Sequence, residues 1–288
     1  MAPPASEPQV VASLHADGAA RRRLWKAAIK WPMYAVAVMP VLLAAGWRWG
    51  RGELVRLDQL LLFLVAAVLL LAWENLANDV FDADTGVDAQ GKPHSLVNLT
   101  GRRDRVAWLA NGALLLGLAL MALVALHSSG AVLALVLACC GIGYAYQGPP
   151  LRLGYRGLGE PLCWLAFGPL ATTLVLFCSH FHQVEEDAAH GKRSPVVRLG
   201  TARAAALVPW FVAGALAFEW APVLVGHWPP TALLGAVGLP PAQRLIRLLR
   251  EHHHEPERIV GSKFLALRFQ ALNGLGLALG LALGPRLG

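Results

Sequence analysis

Residues 57–80 read LDQLLLFLVAAVLLLAWENLANDV, and the chain continues Phe81-Asp82-Ala83-Asp84-Thr85-Gly86-Val87-Asp88. From Leu57 to Trp73 the only charge is Asp58. The run has the roughly 20 apolar residues that a helix needs to cross a bilayer. Its polar residues begin before the apolar run ends. Asn75, Asn78, Asp79 and Asp82 are offset by 0, 3, 4 and 7, so a helix places them on one face. Carboxylates and amides offer oxygen atoms to hard cations, and magnesium bridging to a phosphate is the natural use of such a face. A solvated acidic loop is the plainer reading, but it leaves unexplained why the polar face starts inside the span. Ionisable groups at a membrane are costly and mark function by default.

The rest of the chain agrees with a membrane setting. Of its 288 residues 56% are hydrophobic and 15% charged, against roughly 25% charged in a soluble domain. Mean hydropathy is +0.49. These values exclude a soluble globular enzyme, a disordered chain and a disulfide scaffold. The net charge of +7 would suggest nucleic acid in a soluble protein. Here the basic residues lie between apolar runs, so they orient the chain in the membrane, and no nucleic-acid partner is expected. Cys139, Cys140, Cys163 and Cys178 all sit in apolar segments without a CxxC pair, which argues against a metal or disulfide framework. Trp25, Trp31, Trp47 and Trp49 read as interfacial anchors.

Eight runs have spanning length: 31–49, 57–80, 105–126, 130–147, 159–180, 203–225, 229–249 and 264–285. The expected fold is an all-α polytopic transmembrane bundle. It forms one domain over 21–288, behind a disordered tail at 1–20 that has no signal-peptide pattern. Basic residues gather before the first run and in loops 81–104, 148–158, 181–202 and 250–263, while turns 127–129 and 226–228 hold no Lys or Arg. Basic loops belong on the cytoplasmic side. A parity problem follows, because one crossing over 159–180 puts loop 181–202 and every later loop on the wrong side. Two crossings need ~40 residues, more than this stretch holds. Either Gly168-Pro169 forms a re-entrant bend, or a helix is missing there.

Two further polar stretches carry chemistry. Ser179-His180-Phe181-His182-Gln183-Val184-Glu185-Glu186-Asp187-Ala188-Ala189-His190 aligns Gln183, Glu186, Asp187 and His190 if it is helical. Zinc finds no third ligand here, and the histidines read as hydrogen-bond donors to a substrate or as interface polarity. Tyr144-Ala145-Tyr146-Gln147-Gly148-Pro149-Pro150-Leu151-Arg152-Leu153-Gly154-Tyr155-Arg156 must end a helix at its prolines. It then holds Arg152 and Arg156 on a short loop suited to phosphate, unless they are ordinary loop arginines. Acidic sites and basic loops on one face fit a diphosphate held by magnesium, with a polyprenyl or phytyl tail among apolar helices. Glu251-His252-His253-His254-Glu255 invites a metal reading but lies far in sequence from both acidic motifs.

These motifs resemble the UbiA-type intramembrane aromatic prenyltransferases, with the match running from Trp25 to the last helix. Asn78-Asp79-x-x-Asp82 with Gly86-x-Asp88 and Tyr146-x-Gly148-Pro149-Pro150-x-Arg152-Leu153 with Gly157-Leu158-Gly159-Glu160 are similar to the branch acting on 1,4-dihydroxy-2-naphthoate. So are His94-Ser95-Leu96-Val97-Asn98-Leu99-Thr100-Gly101, His180-Phe181-His182-Gln183 and Gly191-Lys192-Arg193-Ser194-Pro195, which look like the cyanobacterial and plastid enzymes that attach a phytyl chain. The resemblance implies Mg2+ as cofactor, phytyl or polyprenyl diphosphate and 1,4-dihydroxy-2-naphthoate as substrates, and loss of carbon dioxide, in phylloquinone or menaquinone synthesis. It implies an integral multi-pass protein of the cell inner membrane or thylakoid with its motif loops on the cytoplasmic side. Asn78, Asp79 and Asp82 would serve one metal, and Glu186 with Asp187 the other, with Asp79, Asp82 and Asp187 central to catalysis. Arg152, Arg156, Lys192, Lys92 and Lys30 would bind diphosphate. Asn75, Asp88, Tyr146, His182 and Gln183 would contact the aromatic substrate or close the site. Gln183 stands where the family generally has an aspartate, and the family's usual nine spans exceed the eight counted, with one apparently missing near 170–171. The expectation is that the remaining segment bends or tilts so that the motifs still converge. The rivals are an inactive paralogue, a transporter or a quinone-binding protein. Transporter charges sit near mid-membrane in broken helices, whereas these cluster at span ends.

Overall fold

The computed structural model describes residues 18–87, 92–168 and 170–287, the side chains of 285–287 excepted. The described chain is helical throughout. In order, its α-helices are α1 Gly18–Ala28, α2 Ala35–Gly50, α3 Leu57–Thr85, α4 Leu96–Thr100, α5 Arg103–Leu126, α6 Gly130–Gln147, α7 Gly159–Phe167, α8 Leu170–Ser179, α9 Val184–Ala189, α10 Pro195–Leu199, α11 Thr201–Leu224, α12 Leu239–His252, α13 Pro256–Ile259 and α14 Ser262–Leu287. Short 3₁₀ segments cover Trp31–Tyr34, Leu153–Arg156 and Pro230–Gly238. Residues 1–17, most of the expected tail, lie outside the described residues, and Gly18 to Ala20 are already helical.

Among the described residues, six helices are long and apolar enough to cross a membrane: Gly18–Gly50, Leu57–Thr85, Arg103–Leu126, Gly130–Gln147, Thr201–Leu224 and Pro256–Gly284. They correspond to six of the eight expected runs. The other two differ from the expectation. Run 159–180 is broken at Gly168, whose backbone (φ 79°, ψ −64°) only glycine tolerates without strain. Its halves, α7 and α8, pack against each other. At 1.5 Å per residue each is roughly 15 Å long, half the hydrocarbon thickness. Their outer ends meet again, with His180 Nε2 3.8 Å from Glu160 Oε1. The segment is a re-entrant hairpin. Its two ends lie on one side of the turn, as the bend expected here requires, with no additional helix among the described residues.

Run 229–249 is a 3₁₀ segment continued by the amphipathic helix α12, which buries Ala242, Leu245 and Leu249 and exposes Arg244 and Arg247. The arginines and Pro240-Pro241 take it below the apolarity of an ordinary span. It still runs antiparallel to α14. Gly284 lies against Pro229, Gly280 against Thr231, Gly276 against Leu234 and Gly238 against Phe269. These small residues let backbones approach, as is usual where helices pack within lipid. Gly46 gives the same close approach between α2 and α14 at Ala278. Helix α14 is thus the central post, and the largest core cluster gathers around it from α2, α8, α11 and α12, with Phe177, Phe181, Leu245 and Phe269 fully enclosed.

Helix α3 has 29 residues and is about 43 Å long, more than the hydrocarbon requires. Its last turns therefore emerge into the interface, carrying Asp79, Asp82 and Asp84. Gly86 ends it in the left-handed conformation (φ 76°).

Candidate active site

The first acidic motif is built on the emerging end of α3. Asp79 and Asp82 are 2% and 3% exposed. Asp79 Oδ1 is 2.9 Å from Lys30 Nζ and 3.3 Å from Lys92 Nζ, and Asp79 Oδ2 accepts the Leu96 backbone N–H at 2.9 Å. Lys92 also donates to Asn78 Oδ1 at 2.8 Å and lies 3.7 Å from Asp82 Oδ2. Lys30 Nζ reaches the Asn75 carbonyl at 3.4 Å, while Asn75 Nδ2 is buried without a hydrogen bond. The offset rule for Asn75, Asn78, Asp79 and Asp82 thus yields one polar face with two lysines laid across it. Asp88 lies outside the described residues.

The second motif comes to the same end of the bundle. Helix α9 is only six residues long, with Gln183 and His190 as its caps, so the expected four-residue face shrinks to Glu186 and Asp187 within it. Asp187 is fully buried and Lys192 Nζ lies 3.2 Å from its Oδ1. Glu186, His182 and Gln183 are half-buried beside it.

Tyr155 joins the two motifs. Its hydroxyl donates to Asp82 Oδ1 at 3.0 Å and lies 2.8 Å from Thr85 Oγ1, and its carbonyl accepts the Arg193 N–H at 2.8 Å. Its ring centroid is 5.9 Å from both Arg152 Cζ and Lys192 Nζ. Burial and the Asp82 carboxylate push the phenol above its ordinary range, so it remains a donor. Tyr146 packs edge-on against Gly154 and Gly159, where a Cβ would fall 2.8 and 2.9 Å from its ring. Arg152 faces inward with Nε buried and without a hydrogen bond. Arg156 does not join the cluster: it is exposed, and its side chain makes no ion pair or hydrogen bond among the described residues. Lys30 and Arg152 are the only non-glycine residues with positive φ among those described, at 52° and 41°. Both hold strained backbones beside the acidic faces.

Sequence reasoning passed over Tyr155 and Glu160 as site residues, and offered His180 only as a hydrogen-bond donor to a substrate or as interface polarity. All three stand inside the motif blocks quoted above, but nothing in their spacing shows that they reach across to another block.

Among the described residues no three Asp, Glu, His or Cys side chains converge closely enough to hold a metal unaided. Magnesium commonly binds through one or two carboxylates completed by phosphate oxygens and water. The residues present fit that mode. Asp79, Asp82 and Asn78 supply neighbouring oxygens, and Asp187 Oδ1 is a buried oxygen with no hydrogen bond. The flanking lysines and Arg152 suit the phosphates themselves.

Comparison with known proteins follows the same pattern. Residues 37–173 match the UbiA prenyltransferase family. The chain is 41% identical to 2-carboxy-1,4-naphthoquinone phytyltransferase of Synechocystis sp., over 91% of this chain and 94% of that protein. It is 36% identical to the chloroplastic 2-carboxy-1,4-naphthoquinone phytyltransferase of Arabidopsis thaliana, over 90% and 77%. A solved structure of digeranylgeranylglyceryl phosphate synthase superposes with a TM-score of 0.56 at 17% identity, over 88% of this chain and 99% of that one, which is a likeness of fold. The chain belongs to the UbiA prenyltransferase family.

Proposed function

We propose that this enzyme transfers a phytyl or polyprenyl group from its diphosphate to 1,4-dihydroxy-2-naphthoate, with loss of carbon dioxide, on the way to phylloquinone or menaquinone. The observation that carries the reading is the convergence of both acidic motifs with Lys30, Lys92, Arg152 and Lys192 at one end of the bundle, across a span that does not cross. The two naphthoquinone phytyltransferases, similar over most of the chain, support the choice of substrates.

In this reading Asn78, Asp79 and Asp82 would hold magnesium at one part of the diphosphate site, and Asp187 with Glu186 would hold it at the other. Magnesium, when bound, supplies Lewis-acid neutralisation of the leaving group as the allylic C–O bond ionises. Lys92 and Lys30, now paired with Asp79, turn their charge to the phosphate oxygens. Lys192 and Arg152 add charge from the facing loop, where Tyr155 keeps Asp82 oriented. The apolar helices take the prenyl tail and keep water from the cation. The electron-rich ring attacks at the carbon carrying the carboxylate, so carbon dioxide leaves as the ring regains aromaticity. The motif loops lie on the cytoplasmic side, since with the hairpin in place every strongly basic loop falls on one face.

The test is prenyl transfer in membranes carrying the full chain, supplied with 1,4-dihydroxy-2-naphthoate, phytyl diphosphate and Mg2+. Demethylphylloquinol, or its oxidised form, is the expected product. Absence of product from well-inserted protein with both phytyl and a long polyprenyl diphosphate refutes the reading.

A further inference from the structure

A buried chain of three side chains runs from the first arm of the re-entrant hairpin to the second acidic motif. Glu160 stands at the start of α7, His180 just beyond α8, and Asp187 within α9. The Glu160 side chain is 8% exposed, that of His180 4% and that of Asp187 0%. His180 Nδ1 is 3.1 Å from Asp187 Oδ2, and its Nε2 is 3.8 Å from Glu160 Oε1. The imidazole is thus held between two carboxylates.

Two details give the arrangement a direction. Neither oxygen of Glu160 has a hydrogen bond to another residue, and His180 is its ion-pair partner. Burying a carboxylate with so little compensation is unfavourable, so packing alone does not account for it. The two oxygens of Asp187 are also unequal. Oδ2 is held by the histidine, whereas Oδ1 has no hydrogen bond and faces the Lys192 ammonium. A ring that fixes one carboxylate oxygen leaves the other aimed at whatever enters beside Lys192 and Tyr155. Ligating carboxylates are commonly hydrogen-bonded by groups behind them, which fix their orientation.

We propose that Glu160 and His180 are positioning residues for the diphosphate site. Glu160 sets the ring of His180, and His180 sets the rotamer of Asp187 so that Oδ1 faces the magnesium diphosphate. The same clasp closes the base of the hairpin, so it places the second motif opposite the first. The proposal rests on the reading of Asp187 as a donor-side carboxylate.

The test uses the full chain in lipid nanodiscs. Its first readout is the thermal midpoint against inorganic pyrophosphate, with and without Mg2+, which reports donor-side binding without turnover. Its second is the KM of each substrate. Variants are Glu160→Gln, His180→Ala and His180→Asn, whose amide nitrogen reproduces the Nδ1 donor. Glu160→Gln and His180→Ala are expected to raise the pyrophosphate needed for half the shift at least tenfold. The donor KM should rise in parallel while the acceptor KM stays put. His180→Asn is expected to recover most of what His180→Ala loses. Wild-type half-saturation in Glu160→Gln overturns the proposal, and this near-isosteric variant decides if His180→Ala unfolds. A rise in acceptor KM alone also overturns it, as does His180→Asn binding no better than a folded His180→Ala. A wild-type protein that shows no Mg2+-dependent shift refutes the diphosphate site itself, and the proposal with it.

Discussion

Replacing Gly168 by alanine isolates the backbone energy of the re-entrant turn. The turn holds this residue at φ 79°, ψ −64°, which side chains other than hydrogen disfavour. Nothing lies within 4 Å of a Cβ built there, so Gly168→Ala brings no steric clash and its effect is conformational alone. A non-glycine residue in such a region costs about 1–3 kcal/mol. At 1.4 kcal/mol per decade, the ratio of closed to open hairpin falls roughly 5–150-fold. The variant should insert normally and melt at lower temperature. Prenyl transfer should fall by no more than the loss of closed hairpin allows, because Glu160 and His180 part when the turn opens. The assay pairs nanodisc melting with product formation. In addition, Ala189→Cys, on the exposed end of α9, is labelled with a membrane-impermeant thiol reagent in sealed vesicles of known orientation. The label should enter from the same side whether Gly168 is kept or replaced. Melting and turnover equal to wild type would refute the strained turn. Labelling of Ala189→Cys from the face opposite the 81–104 loop would refute the hairpin.

Asp79→Asn leaves Lys30 and Lys92 buried at 12% and 14% side-chain exposure without their shared carboxylate, so product formation should drop at least ~100-fold. Melting should reveal a loss of up to about 3–5 kcal/mol, the range for breaking a buried pair. Gly280→Val drives a side chain into the Thr231 backbone and should cost about 1–3 kcal/mol or more, seen as a lower yield of folded protein. His94, on the loop after α3, is pushed down to about 4 by burial and then by Lys263, Lys92 and Lys30. Its ordinary value is about 6.5. Between these pH values the unfolded chain takes up a proton that the folded chain refuses. Stability is therefore complete above about pH 6.5 and declines as pH falls toward 4. Melting from pH 7 to 4.5 should show that decline, and His94→Asn should reduce it.

Much of this arrangement was legible in the sequence because it is local. The 3, 4 and 7 offsets of Asn78, Asp79 and Asp82 needed only the helical period, and Pro149-Pro150 marked the end of α6. The sum of loop charges located the irregularity near Gly168, and the backbone of that residue chose between a bend and a lost helix. Hydropathy at 229–249 did not reveal that the run is a 3₁₀ segment followed by an amphipathic helix instead of one regular helix. It also could not show that Lys92 folds back onto Asn78, or that His180 reaches Glu160. Those contacts depend on how the elements dock, and no periodic pattern encodes docking. Arg156 shows the converse: the right residue type on the right loop, four positions from Arg152, turns to solvent.

The two left-handed cations carry a further consequence. A stability screen of this chain, blind to activity, would favour glycine at positions 30 and 152, since glycine relieves a positive φ at no steric expense. Selection for turnover would reject both changes, because Lys30 is the cation closest to Asp79 and Arg152 faces the Tyr155 ring. At these two sites durability and reactivity pull against each other, so consensus or thermal-shift engineering of this enzyme should leave them untouched.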